Sequence, residues 1–317
     1  MIRITSFHTS HLEALITYWN RSFQDCHNFL PLDRNRFLRR VINNRFQNYR
    51  SDPEGIRLAW DQDRVVGMIH AGILPSPEEQ DLQGPSGFIA FFHVNPDYRG
   101  AGICSNLFSQ TVSYLQKNRC RGVFLDGQCR SPFYGNVQGP FPPFWGTTEG
   151  ISIQGDDHGT ISFLSNRGFR PRYKAISLSF PISTHPTPSA RPSDFQIQIQ
   201  ENRCPRLGES PDDKIPYSPH ANYFTVVGLH QNRVLGTAIV YPLTGLQGNR
   251  WAIYELQVDP NTRGKGLGRL LVSKLLTATK ERSGQEVEVT TVPDLSPEAL
   301  GLYTRIGFTE IAHWSIF

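Results

Sequence analysis

Val94-Asn95-Pro96-Asp97-Tyr98-Arg99-Gly100-Ala101-Gly102 and Val258-Asp259-Pro260-Asn261-Thr262-Arg263-Gly264-Lys265-Gly266 share the pattern V-x-P-x-x-R-G-x-G. Two copies of one supersecondary unit imply two related halves, and no other feature of the chain narrows the fold as far. Each copy follows an apolar run of strand type, at 88–94 and 251–258. Each also precedes apolar residues at helical spacing: Cys104, Leu107, Phe108 and Leu115 in the first, and Leu267, Leu270, Leu271, Leu275 and Ala278 in the second. The repeated unit is strand, glycine turn, helix.

A second element recurs downstream. Phe163-Leu164-Ser165-Asn166-Arg167-Gly168-Phe169 and Leu302-Tyr303-Thr304-Arg305-Ile306-Gly307-Phe308 both read as a short helix ended by glycine and followed by a strand. The repeated arginines lie 164 residues apart and the Gly-Phe pairs 139 apart, so the first half carries 25 additional residues, placed at 130–158 in a stretch rich in Pro, Gly and aromatics. Residues 181–194 form a Pro/Ser/Thr tract of linker composition. The expected organisation is a domain at 1–180 containing the insert, a linker at 181–194, and a domain at 195–317.

Within the first half the pattern predicts a strand at 2–7, helices near 11–23 and 34–46, strands at 56–60 and 64–73, the repeat unit, a strand at 122–126 and closing strands around 173–180. The second half predicts strands at 195–200, 223–229 and 234–241, the repeat unit, a strand at 286–292, a helix at 297–305 and a strand at 309–317. A Pro-rich loop at 204–219 stands in place of the first half's paired helices.

The charge excess is small, +4, and lacks the consecutive Lys/Arg block of a nucleic-acid arm. No apolar run approaches the ~20 residues of a membrane span, and the first residues lack a signal-peptide layout. A cytoplasmic location is expected, as monomer or homodimer, without nucleic-acid or membrane partners. Five scattered cysteines and ten scattered histidines show no metal-ligand spacing, so no metal is expected.

Glycines that follow a strand and open a helix let backbone N–H groups converge on an anion, with the helix dipole adding favourable potential. A diphosphate is the natural ligand. A Walker A loop requires G-x-x-x-x-G-K-[ST], whereas Lys265 is followed by Gly266. A dinucleotide fingerprint places its first glycine at the strand end, yet five residues separate Val258 from Gly264, even though Glu286 and Glu288 stand near the position of a ribose-binding acid.

The segment L-x-V-x-P-x-x-R-G-x-G-x-G at 256–268, with A-x-x-L-Y-x-x-x-G-F at 299–308, resembles the GNAT superfamily of acyl-CoA-dependent N-acyltransferases. The resemblance extends over nearly the whole chain as a tandem of two such domains, a layout similar to that of the mycothiol-forming acetyltransferases. It implies an α/β architecture in which each domain is a mixed, mostly antiparallel sheet flanked by helices. The first half departs from the pattern, with Cys104 where the family usually has Gly or Ala and Leu164 where it has Tyr.

The resemblance implies acetyl-CoA as cofactor. Its diphosphate would lie on Arg263, Gly264, Lys265, Gly266, Leu267, Gly268 and Arg269, and its pantetheine along Leu256, Gln257 and Val258. Ser296 stands where many relatives have Asn. Tyr303 matches the family's usual acid, and Glu255 is the candidate base. A second cofactor site would use Val94, Arg99, Gly100, Ala101, Gly102, Ile103 and Cys104. Phe91 and Leu164 occupy the positions of Glu255 and Tyr303 in the first half and cannot move a proton, which points to the second half as catalytic; His93 is the one proton-moving group on that strand.

The acceptor implied is a small-molecule or peptide amine. The insert's Phe133, Tyr134, Phe141, Phe144 and Trp145, or Asp156, Asp157 and His158 at its end, are candidates to contact it. The rival reading is a non-catalytic acyl-CoA-binding or regulatory protein.

Overall fold

The computed structural model describes residues 1–25, 29, 31–43, 52–74, 85–125, 152–182, 195–210, 214–215, 222–243 and 249–317. They form two compact units, one drawn from the chain up to Tyr173 together with Ser315–Phe317, the other spanning Lys174–Trp314.

The first unit contains β1 (Ile2–Ser6), α1 (Leu12–Phe23), α2 (Arg34–Phe37), β2 (Ile56–Asp61), β3 (Arg64–Leu74), β4 (Ser86–Val94), α3 (Ile103–Lys117), β5 (Val123–Phe124), β6 (Ser152–Gln154) and α4 (His158–Ser165). Its five-stranded sheet runs in chain order β1 to β5, antiparallel except for the β4–β5 pair. One face packs against α1 through Leu15, Trp19 and Phe23, and the other against α3 through Leu107 and Leu115. Both faces being covered explains why β3 and β4 are apolar along their length rather than alternating. The helix expected at 34–46 is shorter: α2 passes at Leu38 into a wider π-type turn that ends at Ile42.

The second unit contains β7 (Tyr173–Pro181), β8 (Gln196–Glu201), β9 (Cys204–Pro205), β10 (Lys214–Ile215), β11 (Phe224–His230), β12 (Arg233–Pro242), β13 (Arg250–Val258), α5 (Leu267–Glu281), β14 (Glu286–Thr291), α6 (Pro297–Ile306) and β15 (Thr309–Ile316). Its sheet runs β15-β7-β14-β13-β12-β11-β8. Leu267, Leu271 and Leu275 of α5 are buried against it, each contributing roughly 1.5–3 kcal/mol.

Two expectations need correction here. The strand at 173–180 forms, but from Lys174 it belongs to the second unit, antiparallel to β14 from the Ile176–Thr291 pair to the Pro181–Glu286 pair. Leu178 and Phe180 are buried in that unit's core with Val287, Val289 and Phe308, and Ser177 bonds Thr290 at 2.7 Å. The unit therefore begins before the 181–194 tract, of which 183–194 lie outside the described residues. The second correction concerns the Pro-rich loop, which carries a two-stranded ribbon of β9 and β10. Among the described residues no α-helix precedes α5 in this unit.

Candidate active site

The same irregularity marks both sheets. In the second unit Ile239 of β12 faces Glu255 while Val240 faces Ile253, so Tyr254 is an extra residue in β13. In the first, His70 faces Phe91 while Ala71 faces Ile89, leaving Ala90 extra in β4. A bulge bends its strand and re-aims the residues beyond it. The parallel ladder from β13 to β14 stops at Ile253–Val289, and that from β4 to β5 stops at Phe88–Phe124. Past Ile253 the second repeat strand has no further ladder to β14, and a cleft opens beside it.

The glycine turn closes one end of that cleft. Asp259 accepts a hydrogen bond from the Asn261 amide at 2.9 Å and starts the tight turn Pro260–Thr262; Asn95 does the same for Asp97 at 3.0 Å. Gly266 then caps α5 at φ +87°, in the left-handed region, and supplies no side chain to the helix. The first amides of α5 are left without an intrahelical acceptor. A Cβ on Gly264 or Gly266 would meet no atom within 4 Å.

The cleft encloses about 820 Å³ and is lined by Leu256, Gln257 and Val258 of β13, by Arg263, Gly264, Gly266, Leu267, Gly268 and Arg269 of the turn, and by Ser296. The structure thus brings together ten of the thirteen second-half residues named from the sequence. Lys265, Glu255 and Tyr303 do not line it. Lys265 is exposed. Glu255 is half-buried, and its carboxylate accepts a hydrogen bond from the Gln257 side chain. Tyr303 is 3% exposed and packs at a tilt against Phe308 with ring centroids 5.3 Å apart; burial raises its phenol pKa. Cys204 lies near Glu255, and its thiol is pushed up to about 11 by burial, with the Glu255 charge adding to the effect.

Sequence reasoning missed the far wall, where Glu298, Ala299, Leu302, Arg305 and Ile306 of α6 line the cleft. Their spacing of three and four residues marks one helix face and was the available signal. Ser296 precedes that helix and makes no capping hydrogen bond to it, so its hydroxyl is not spent on the helix end. Glu286 and Glu288, whose place in the sequence suits ribose ligands, instead form ion pairs with Arg250 on the neighbouring strand.

The first unit keeps the loop backbone, with Gly100 and Gly102 at φ +86° and +76°. Its arginine is committed elsewhere. Arg99 forms two hydrogen bonds to Asp157, at 2.6 and 2.9 Å, and a third to the Val94 carbonyl at 3.2 Å. Asp157 also caps α4 through Thr160 at 3.0 Å, so it is a structural anchor and not an open acceptor contact. Phe91 and Leu164 are buried in the core, Phe91 against Trp19 at 4.9 Å. Val94 and Ile103 are buried, Ala101 is exposed, and Cys104 is half-buried with its thiol pKa raised by burial. His93 is bonded through Nδ1 to the Tyr18 hydroxyl at 2.5 Å, and burial, with Arg99 nearby, lowers its pKa to about 4. The aromatics at 133–145 lie outside the described residues.

This chain belongs to the acetyltransferase (GNAT) family, whose model matches residues 12–134 and 194–308. Solved structures of similar fold include the GCN5-related glucosamine N-acetyltransferase region of a fungal multi-domain GH3 β-N-acetylglucosaminidase, at 14% identity and TM-score 0.62, covering all of this chain and 38% of that one. A tandem GNAT protein from the clavulanic acid biosynthesis pathway matches at 13% identity and TM-score 0.62 over 99% of this chain and 97% of its own. A GCN5-related N-acetyltransferase from Sphaerobacter thermophilus matches at 13% identity and TM-score 0.60, over 99% and 94%. No curated protein matches the sequence. Among the described residues no helix is long and apolar enough to cross a membrane.

Proposed function

We propose that the protein transfers an acetyl group from acetyl-CoA to a primary amine and that the second unit carries the reaction. One observation supports this above others: the cleft beside β13 ends on a glycine turn whose helix amides are uncapped and whose lining holds three arginines against one glutamate. Such a surface fits a phosphorylated cofactor, because uncapped N-terminal amides and arginine forks are both donors to phosphate oxygens. The empty space over Gly264 and Gly266 leaves room for the phosphates to approach the backbone.

In this reading the amides of Gly266, Leu267, Gly268 and Arg269 hold the diphosphate. The edge of β13 turned away from β12 at Leu256, Gln257 and Val258, beyond the end of its ladder with β14, offers backbone donors and acceptors to the pantetheine amides. The bound cofactor supplies an acyl group already activated as a thioester. Glu255 takes the proton of the incoming amine, and Tyr303 protonates the departing thiolate. A phenol raised above its usual value of about 10 stays protonated through neutral pH, as an acid must.

The burial of Tyr303 favours a second reading, in which the cleft binds acyl-CoA without turning it over. Two measurements separate these. Calorimetric titration of acetyl-CoA into the wild type and into Gly266→Glu reads binding, and release of free thiol across a panel of amines reads turnover. Binding lost in the variant together with thiol release in the wild type supports the first reading; binding without release supports the second. Binding retained in Gly266→Glu moves the site to the first unit.

A further inference from the structure

The cleft has more cationic capacity than a diphosphate on helix amides requires. Of its three arginines, Arg263 is taken by Glu298 at 2.9 Å. Arg269 and Arg305 form no ion pair or side-chain hydrogen bond among the described residues. Their situations differ. Arg269 lies in the first turn of α5, within the turn whose backbone already faces the cleft, whereas Arg305 comes from the opposite wall.

Arg305 is seated by its own helix. Its guanidinium folds back over Gly301, where a Cβ would lie 3.1 Å from Nη1 and 3.7 Å from Cζ. The residue one turn earlier on the same face is therefore a glycine under the charged group. Leu302, three residues before Arg305, packs against the first turn of α5, within 3.3 Å of where a Cβ on Gly268 would stand. This contact sets the Arg305 face of α6 beside the uncapped amides, with the cleft between.

We propose that Arg305 recognises the 3′-phosphate of coenzyme A, and so makes the cleft select the cofactor over its 3′-dephospho form. The inference rests on the reading that this cleft holds the cofactor. Coenzyme A carries a diphosphate and, apart from it, a phosphate monoester with a charge of about −1.5 to −2 near neutral pH. Backbone amides suit the diphosphate. The monoester calls for a charged, forked donor, and Arg305 is the unpaired one on the wall facing them.

The test is calorimetric titration of CoA and of 3′-dephospho-CoA into the wild type, Arg305→Gln, Arg269→Gln and Gly301→Ala. The wild type is expected to bind CoA about 10-fold tighter or more, the scale of one charge-assisted contact. Arg305→Gln loses that preference through weaker CoA binding, with dephospho-CoA affinity unchanged. Arg269→Gln keeps the preference, and Gly301→Ala, whose methyl displaces the guanidinium, reduces it. Arg305 is exposed, so its variant keeps the fold, and circular dichroism verifies this. Equal wild-type affinity for the two ligands overturns the inference while leaving the cofactor reading intact. Equal weakening of both ligands in Arg305→Gln, or loss of the preference in Arg269→Gln alone, also overturns it. A wild type that binds neither ligand overturns both the inference and the reading beneath it.

Discussion

Arg99 grips Asp157 with both terminal guanidinium nitrogens, at 2.6 and 2.9 Å, and the two side chains are only 28% and 20% exposed. Its counterpart in the second repeat, Arg263, meets Glu298 through one 2.9 Å contact with the side chains 58% and 57% exposed. The repeated turn arginine thus serves two ends: in the first unit it ties the turn to the cap of α4, and in the second it borders an open cleft.

Asp157→Asn should therefore cost far more than Glu298→Gln. Loss of the charge leaves Arg99 partly buried with a weakened partner and perturbs the α4 cap, roughly 1–3 kcal/mol. The exposed pair is worth roughly 0–1 kcal/mol. Burial acts to raise the Asp157 pKa, but hydrogen bonds from Thr160 and Arg99 outweigh it and hold the carboxyl below its ordinary value. A depressed carboxylate stabilises the fold above its unfolded pKa of about 3.9, and that contribution is lost as pH falls through the folded value. Urea unfolding of both variants at pH 7 and at pH 3 checks this. The Asp157→Asn deficit should be full at pH 7 and smaller at pH 3.

Small residues under α5 seat the glycine turn against the sheet. A Cβ on Gly236 would lie 2.8 Å from Leu271 and 3.1 Å from the Gln257 carbonyl. Gly236→Ala must displace the Leu271 and Leu267 side chains of α5 or the β13 backbone, costing about 1–3 kcal/mol as overpacking does. Because Leu267 also touches this site, at 3.1 Å, the displacement reaches the first turn of the helix. Acetyl-CoA affinity measured by calorimetry should fall several-fold along with the melting temperature. Unchanged affinity in a destabilised variant would separate the helix packing from the cleft.

Much of this architecture is legible in the sequence, for identifiable reasons. The repeat strands and helices carry dense apolar periodicity, and Gly266 and Gly307 occupy left-handed positions that suit few other residues, so the boundaries of α5 and α6 are readable locally. The partner of β7 is not. Leu178 and Phe180 present the same alternating pattern whichever sheet receives them, and pairing with β14, more than a hundred residues later, leaves no local trace. The Arg99–Asp157 bond spans 58 residues and is hidden for the same reason. Arg305 is readable, since it follows Leu302 and Ala299 at helical spacing, but the motif draws attention to Tyr303, whose side chain turns into the core.

One buried and one half-buried histidine should make the first unit acid-sensitive. Burial lowers His70 to about 3, and burial with the Arg99 charge lowers His93 to about 4, against about 6.5 when unfolded. Between those values the unfolded chain binds protons that the folded chain does not, so stability is full above pH 6.5 and declines as pH falls towards 4. His93→Gln, which keeps a polar partner for Tyr18, should flatten that decline relative to the wild type. Urea midpoints at half-unit pH intervals from 7.5 to 4 provide the check, and parallel profiles for the two proteins would count against it.

Tyr303 offers the sharpest test of the catalytic assignment, because its two roles predict different losses. As the acid for the departing thiol, its hydroxyl matters only in the reaction, and Tyr303→Phe should lower kcat by about 10²-fold or more with acetyl-CoA affinity unchanged. As a core residue it contributes its ring, which phenylalanine retains against Phe308, and kcat should then stay near the wild-type value. The pH profile adds an independent reading. Since burial raises the phenol pKa, wild-type kcat should show no alkaline fall attributable to Tyr303 below about pH 10. Near-normal turnover in a folded Tyr303→Phe that still binds acetyl-CoA would remove Tyr303 from the mechanism and leave thiol protonation to solvent.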